Sequence, residues 1–115
     1  MTKNLDVNSF KELIFDYTKG NEWKFKGDRP AVIDFYADWC GPCKLMAPIF
    51  EELSEQYIGF VDFYKVDTDV QIDLAREFQI SSIPALLFIP MDGMPEMAVG
   101  ALPKADIEEA IKKFI

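Results

Sequence analysis

Histidine is absent from all 115 residues of the chain, and that absence closes more chemistry than any other feature of the composition. Ser-His and Cys-His nucleophile pairs, imidazole-ligated metals and an axial haem histidine are all excluded. Cysteine is scarce: there are two, Cys40 and Cys43. A four-ligand zinc site falls two donors short, so no metal is expected. Positive charge is scarce too, with 12 Lys and Arg against 20 Asp and Glu, a net of −8. Nucleic acids and anionic membranes require a basic face, so neither is an expected partner. The acidic residues are scattered along the chain rather than massed in a tail, and they read as solubilising. No apolar run approaches the ~18 residues of a membrane span, so no insertion is expected. Met1-Thr2-Lys3-Asn4 leads into polar sequence with no apolar h-region, and no secretory leader is expected from it.

What the chain has in quantity is apolar residues, 50% of the total. That is enough for a single domain with one core and no disulfide staples. Phe10, Leu13, Ile14 and Tyr17 fall on one helical face, with Ser9 and Glu12 as a capping-box start and Gly20 as a stop. From Asn21 to Arg29, Trp23 and Phe25 alternate with Lys24 and Lys26, which reads as a short strand or an ordered loop. Ala31–Ala37 is uniformly apolar apart from Asp34, the pattern of a central strand covered on both faces. A helix follows through Ile49, Phe50, Leu53 and Tyr57, with Pro48 inside it as an expected kink. Phe60–Val66 reads as a strand, Val70–Phe78 as a helix and Ala85–Ile89 as a strand. Asp92-Gly93 marks a turn into a strand near Met97–Val99. The last helix, Lys104–Phe114, aligns Ile107, Ala110, Ile111 and Phe114. This alternation implies parallel strands with crossover helices, and the hairpin adds an antiparallel edge.

The two cysteines stand in Trp39-Cys40-Gly41-Pro42-Cys43-Lys44, where the central strand ends and a helix opens. A helix start offers unpaired N–H groups and a positive dipole end, both of which favour thiolate over thiol. At this spacing the sulfurs lie one turn apart, near enough to form and break a mutual disulfide. Lys44 occupies the place where a haem-attachment motif needs histidine. A purely structural disulfide here would close a loop too short to restrain the unfolded chain appreciably. Thiol–disulfide exchange is the reading that remains. Cys40, at the helix start, is expected to be the more exposed and more acidic thiol and hence the nucleophile. Cys43, one turn in, is expected to be more buried and to resolve the mixed disulfide. Gly41 lets a substrate backbone approach, and Pro42 stiffens the first turn without losing a hydrogen bond.

Asp34 is the one charge in the central strand. It reads either as an alternate-face residue open to solvent or as a buried base with a raised pKa. In the second reading it takes the Cys43 proton through a water, and Lys65 on the next strand moderates its charge.

Beyond these residues, Trp39-Cys40-Gly41-Pro42-Cys43-Lys44 after Asp34-Phe35-Tyr36-Ala37-Asp38 resembles the thioredoxin family. The likeness continues at Met46-Ala47-Pro48, Lys65-Val66-Asp67, Ile83-Pro84, Asp92-Gly93 and Val99-Gly100-Ala101-Leu102, from about Arg29 to the C-terminus. The resemblance implies an α/β thioredoxin fold, a mixed central sheet of four to five strands flanked by helices on both faces. Residues 1–115 are then one such domain, with 1–29 an atypical N-terminal helix and insert. It implies a cis Ile83–Pro84 bond beside the cysteines and a docking groove lined by Trp39, Ser82, Ile83, Pro84, Val99 and Gly100. It assigns Asp34 and Lys65 to matching family positions.

The function implied is a thiol–disulfide oxidoreductase that reduces protein disulfides. The alternatives are a disulfide oxidase or isomerase of exported proteins, or a non-catalytic binding module. No dinucleotide- or flavin-binding loop is visible, so no cofactor is expected and a separate reductase recharges the enzyme. The chain is expected to act as a monomer in the cytoplasm, with a trimmed periplasmic or exported form as the alternative. It departs from the family at Tyr36, where Trp is frequent, at Ala85, where Thr is usual, and in its long Asn21–Arg29 segment. The strand expected before the first helix is faint in Leu5–Val7. Met91, Met94 and Met97 crowd the hairpin as edge filler or as an adaptable contact patch.

Overall fold

Five strands form one sheet in a computed structural model that describes residues 1–20 and 22–113. In chain order the elements are β1 (Lys3–Asn4), α1 (Val7–Leu13), β2 (Ala31–Tyr36), α2 (Gly41–Gln56), β3 (Asp62–Asp67), α3 (Ile72–Glu77), β4 (Ala85–Ile89), β5 (Glu96–Val99) and α4 (Lys104–Lys112). Across the sheet the order is β1-β3-β2-β4-β5. Strands β1, β3 and β2 are parallel, while β4 and β5 add antiparallel pairs. The mixed sheet is as the chain pattern implies, with β2 at its centre and buried from Ala31 to Phe35.

Alternation along β2 sends its side chains to two separate cores. Ile33 and Phe35 join Phe10, Ile14, Val66 and Leu74 under α1 and α3. Val32 joins Phe50, Leu53, Phe63, Leu86 and Ile107 under α2 and α4. Helices therefore cover both faces. Asp34 and Tyr36 share the parity of Val32, which directs them to the α2 side.

Helix α1 differs from its expected bounds at both ends. Its cap is Asp6 rather than Ser9: the Asp6 carboxylate accepts from Ser9 N–H at 2.8 Å, and Ser9 Oγ accepts from Asp6 N–H at 2.9 Å. Ser9 therefore occupies the third helical position instead of the first boundary. The helix ends at Leu13, short of Gly20, because Asp16 draws the Thr18 N–H and hydroxyl into a turn. Tyr17 still meets Phe10, with ring centroids 6.0 Å apart, but from that turn. The segment after it is an ordered loop without a strand among its described residues; Asn21 lies outside them. The Lys26 N–H donates to the Ile14 carbonyl at 2.8 Å, and Trp23 and Phe25 pack on the α1-side core.

Elsewhere the expected elements are present with shifted ends. Phe60 is an exposed residue beside Gly59, whose φ of +84° turns the chain into β3. Val70 stays outside α3, where the Val70 and Gln71 N–H groups donate to the Asp67 carbonyl. The first strand is Lys3–Asn4 rather than Leu5–Val7, with Leu5 N–H bonded to the Lys65 carbonyl at 2.9 Å. Phe114 lies outside the described residues. Pro48 sits within α2, where its ring withholds one backbone donor.

Candidate active site

Strand β2 ends at Tyr36 and α2 opens at Gly41, and Cys40 is the last residue of the short link between them. Its backbone is extended, φ −85° and ψ 109°, and its sulfur caps the helix by accepting the Cys43 N–H at 3.2 Å. A sulfur that receives a helix-terminal N–H is favoured in its negatively charged form. Pro42 lies in the first turn, where its missing donor costs nothing. Cys40 and Cys43 are disulfide-bonded, with Cα atoms 5.3 Å apart.

The expected contrast in exposure between the two is not observed. Cys40 is 4% exposed and Cys43 3%, so the oxidised pair is covered at both ends. The disulfide packs against Ala37 and Ile83. Position at the cap, not accessibility, distinguishes the two residues.

The loop before β4 supplies the facing wall. The Ile83–Pro84 peptide is cis, as the resemblance implied, and the Ile83 carbonyl oxygen lies 3.8 Å from Cys40 Sγ. Val99 pairs with Ala85, and Gly100 N–H donates to the Pro84 carbonyl at 2.8 Å, joining the end of β5 to this loop. Gly100 has φ +98°, a conformation natural to glycine. Val99 is 61% exposed and Trp39 71%, while Gly41, Pro42 and Ser82 are also exposed. Ile83, Pro84, Val99 and Gly100 are thus physically joined beside the cysteines. Trp39, Gly41 and Pro42 flank them by covalent proximity, and Ser82 by its place before Ile83.

Asp34 is fully buried, which excludes the solvent-facing alternative. Among the described residues, no protein donor hydrogen-bonds either carboxylate oxygen. Burial pushes its pKa up to about 6, against the opposing pull of the Lys65 ammonium. Lys65 is its register partner on β3. The Lys65 Nζ lies 4.3 Å from the centroid of the Tyr36 ring. Tyr36, Asp38, Cys43, Lys44, Ala47 and Lys65 line a cavity of about 130 Å³. The contact of Tyr36 with Lys65 was not foreseen from sequence, though Asp34 and Tyr36 are two apart on a strand and therefore share a face.

Sulfurs that open and close a bond within one helical turn, at a helix end that favours a negatively charged sulfur, transfer two electrons per cycle. This is the dithiol–disulfide exchange class of protein. The thioredoxin family model matches residues 4–113, and the chain belongs to the thioredoxin family. It is similar to the thioredoxin of Borreliella burgdorferi, 50% identical over 114 residues, 99% of this chain and 97% of that protein. Thioredoxin of Synechocystis is 36% identical over 114 residues, covering 99% of this chain and 97% of its own length. Among solved structures, chloroplastic thioredoxin z superposes with a TM-score of 0.82 at 28% identity, covering 98% of this chain and 93% of that one. The protein is a thiol–disulfide oxidoreductase acting in disulfide reduction. Membership of the family implies disulfide-bearing protein substrates and a reductase partner. Among the described residues, no helix is long and apolar enough to cross a membrane.

Proposed function

We propose that Cys40 is the attacking thiol of this reductase and Cys43 the resolving one. The single observation that carries the assignment is the helix-capping position of the Cys40 sulfur, which accepts the Cys43 N–H at 3.2 Å. A Cys40 thiolate attacks one sulfur of a substrate disulfide, forming a mixed disulfide and expelling the other substrate sulfur as a thiolate. The Cys43 thiol gives its proton to Asp34 through water, and its thiolate attacks the Cys40 sulfur. The second substrate sulfur leaves as a thiolate and takes the proton held by Asp34, while the first takes one from water, so the enzyme's two electrons end on the substrate as two thiols. Lys65 moderates the charge of Asp34 during the transfer.

Substrate main chain docks across Trp39, Gly41, Pro42, Ser82, Ile83, Pro84, Val99 and Gly100. Support for this comes from the tie of Gly100 to Pro84 and from the exposed apolar surfaces of Trp39 and Val99. The protein works as a monomer in the cytoplasm, recharged by a separate reductase.

Trapping tests the assignment of the thiols. Cys43→Ser accumulates a covalent adduct with a disulfide-bearing protein, and Cys40→Ser does not; equal trapping by both variants sinks it. The Cys40–Cys43 couple, equilibrated with a defined thiol buffer, is expected near the ~−270 mV typical of thioredoxins. A value of ~−120 to −180 mV instead identifies an oxidase or isomerase suited to an oxidising compartment.

A further inference from the structure

We propose that Tyr36 is a positioning residue for Lys65, holding its ammonium over the aromatic ring at the wall of the cavity beside Cys43 instead of on the Asp34 carboxylate. The inference rests on the reading of Asp34 as the proton acceptor and adds the device that keeps that carboxylate able to receive a proton.

Three observations carry it. Asp34 and Lys65 are opposite one another on neighbouring parallel strands and face the same side of the sheet. Yet among the described residues neither a hydrogen bond nor an ion pair within 4.0 Å joins them, and both Asp34 oxygens lack a donor. The Lys65 Nζ instead sits 4.3 Å from the Tyr36 ring centroid, within the ~6 Å reach of a cation–π contact. Tyr36 is two residues beyond Asp34 on β2, so its ring lies on the same face and nearer the cysteines.

A lysine stem is flexible and carries a compact charge, so its ammonium takes whichever partner is best placed. Were it to close on Asp34, the pair would hold the carboxylate ionised and weaken it as a base. With the charge on the ring, burial remains the larger influence on Asp34, and Lys65 tempers it from a distance. The cavity of about 130 Å³ between Tyr36, Lys65 and Cys43 has room for a proton-carrying water, at ~30 Å³ per molecule.

Other charges line this cavity or act on Tyr36 and Lys65. Asp67 on β3 and Asp38 after β2 both act on Tyr36. Lys44 on α2 lines the cavity, and Glu51 farther along α2 feels the Lys65 charge. All of these are left in place by the variants below.

The test is the titration of the Asp34 carboxyl itself, followed by carboxylate infrared absorption or side-chain NMR in the full-length oxidised protein. Tyr36→Leu releases the ammonium toward Asp34 and lowers the titration midpoint by about 0.5 to 1 pH unit. Tyr36→Phe keeps the ring and leaves the midpoint where it was, which separates the π-face from the hydroxyl. Lys65→Met raises the midpoint, and adding Tyr36→Leu to Lys65→Met produces no further change. A midpoint unmoved by Tyr36→Leu overturns the proposal. So does a decrease of equal size with Lys65 absent, because the ring would then act by excluding water. Movement of the midpoint as stated supports the positioning role whatever the kinetics do. If mixed-disulfide release does not follow that midpoint, the proton-acceptor reading alone fails.

Discussion

At Asp34 two effects of opposite sign meet. Loss of water around the carboxyl raises its pKa, and the Lys65 ammonium on the adjacent strand lowers it. The first is the larger, because the group is fully buried and, among the described residues, its oxygens have no protein donor to stabilise the charged form. The result, about 6, lies close to neutral pH, where a carboxyl group exchanges a proton readily. A base must be ionised to accept a proton. Release of the trapped partner by Cys43 is therefore expected to slow as pH falls through about 6. Asp34→Asn removes that inflection, slowing release above about pH 6 and converging with the wild type below it, as single-turnover kinetics of a preformed mixed disulfide will measure. An Asp34→Asn profile that keeps the inflection assigns it to another group. Cys40 shows the limit of reading a residue by exposure, since both sulfurs are covered and only the capping hydrogen bond separates them.

Between elements, the groove depends on how the ends of β2, β4 and β5 meet the start of α2. The Gly100 N–H ties the end of β5 to the Pro84 carbonyl, and this contact needs the chain to turn at φ +98°. An added Cβ at Gly100 meets no atom within 4 Å, so any cost of substitution lies in the backbone conformation itself. Gly100→Ala is expected to destabilise the fold by about 1–2 kcal/mol. A lower urea midpoint at unchanged slope is the measurement, and an unchanged midpoint would mean the turn relaxes freely. Helix α1 illustrates the same dependence on neighbours. Its apolar spacing foretold the contacts of Phe10, Ile14 and Tyr17, but a local competition at Asp6 and Asp16 chose its ends.

Over the molecule as a whole, the buried carboxyl links proton binding to stability. Its pKa rises from 3.8 to about 6 on folding, so the folded state holds this proton more tightly than the unfolded chain. The folded state is therefore favoured with Asp34 protonated. That advantage is lost as pH climbs through the interval between those values, and above about 6 the full cost of burying the charge is felt. The cost is on the order of 3 kcal/mol. Asp34→Asn is accordingly expected to stabilise the protein by up to that amount above about pH 6. The gain shrinks toward nothing near pH 4, which urea unfolding of both proteins across pH will check. Because Asp6, Asp16 and Glu51 shift the other way, the difference between the two proteins isolates Asp34, whereas the wild-type curve alone does not.

The amino-acid sequence by itself determined the exchange chemistry. Two cysteines one helical turn apart, no histidine and an apolar strand carrying one aspartate leave few alternatives, since spacing and residue type act locally. It also determined the order of elements, because hydrophobic periodicity follows from which faces must be covered. Their ends were less legible, for Asp6 and Ser9 both read as caps where Asp6 is the cap and Ser9 its third-position partner, and side chains such as Asp16 divert the chain. Only the tertiary structure decided that Asp34 is buried, that the Lys65 charge rests on Tyr36 and that a small cavity lies between Tyr36, Lys65 and Cys43. Each of these depends on which strand lies beside β2 and which helix covers it. Strand order arises from contacts distant in sequence, and no local pattern of residues encodes them.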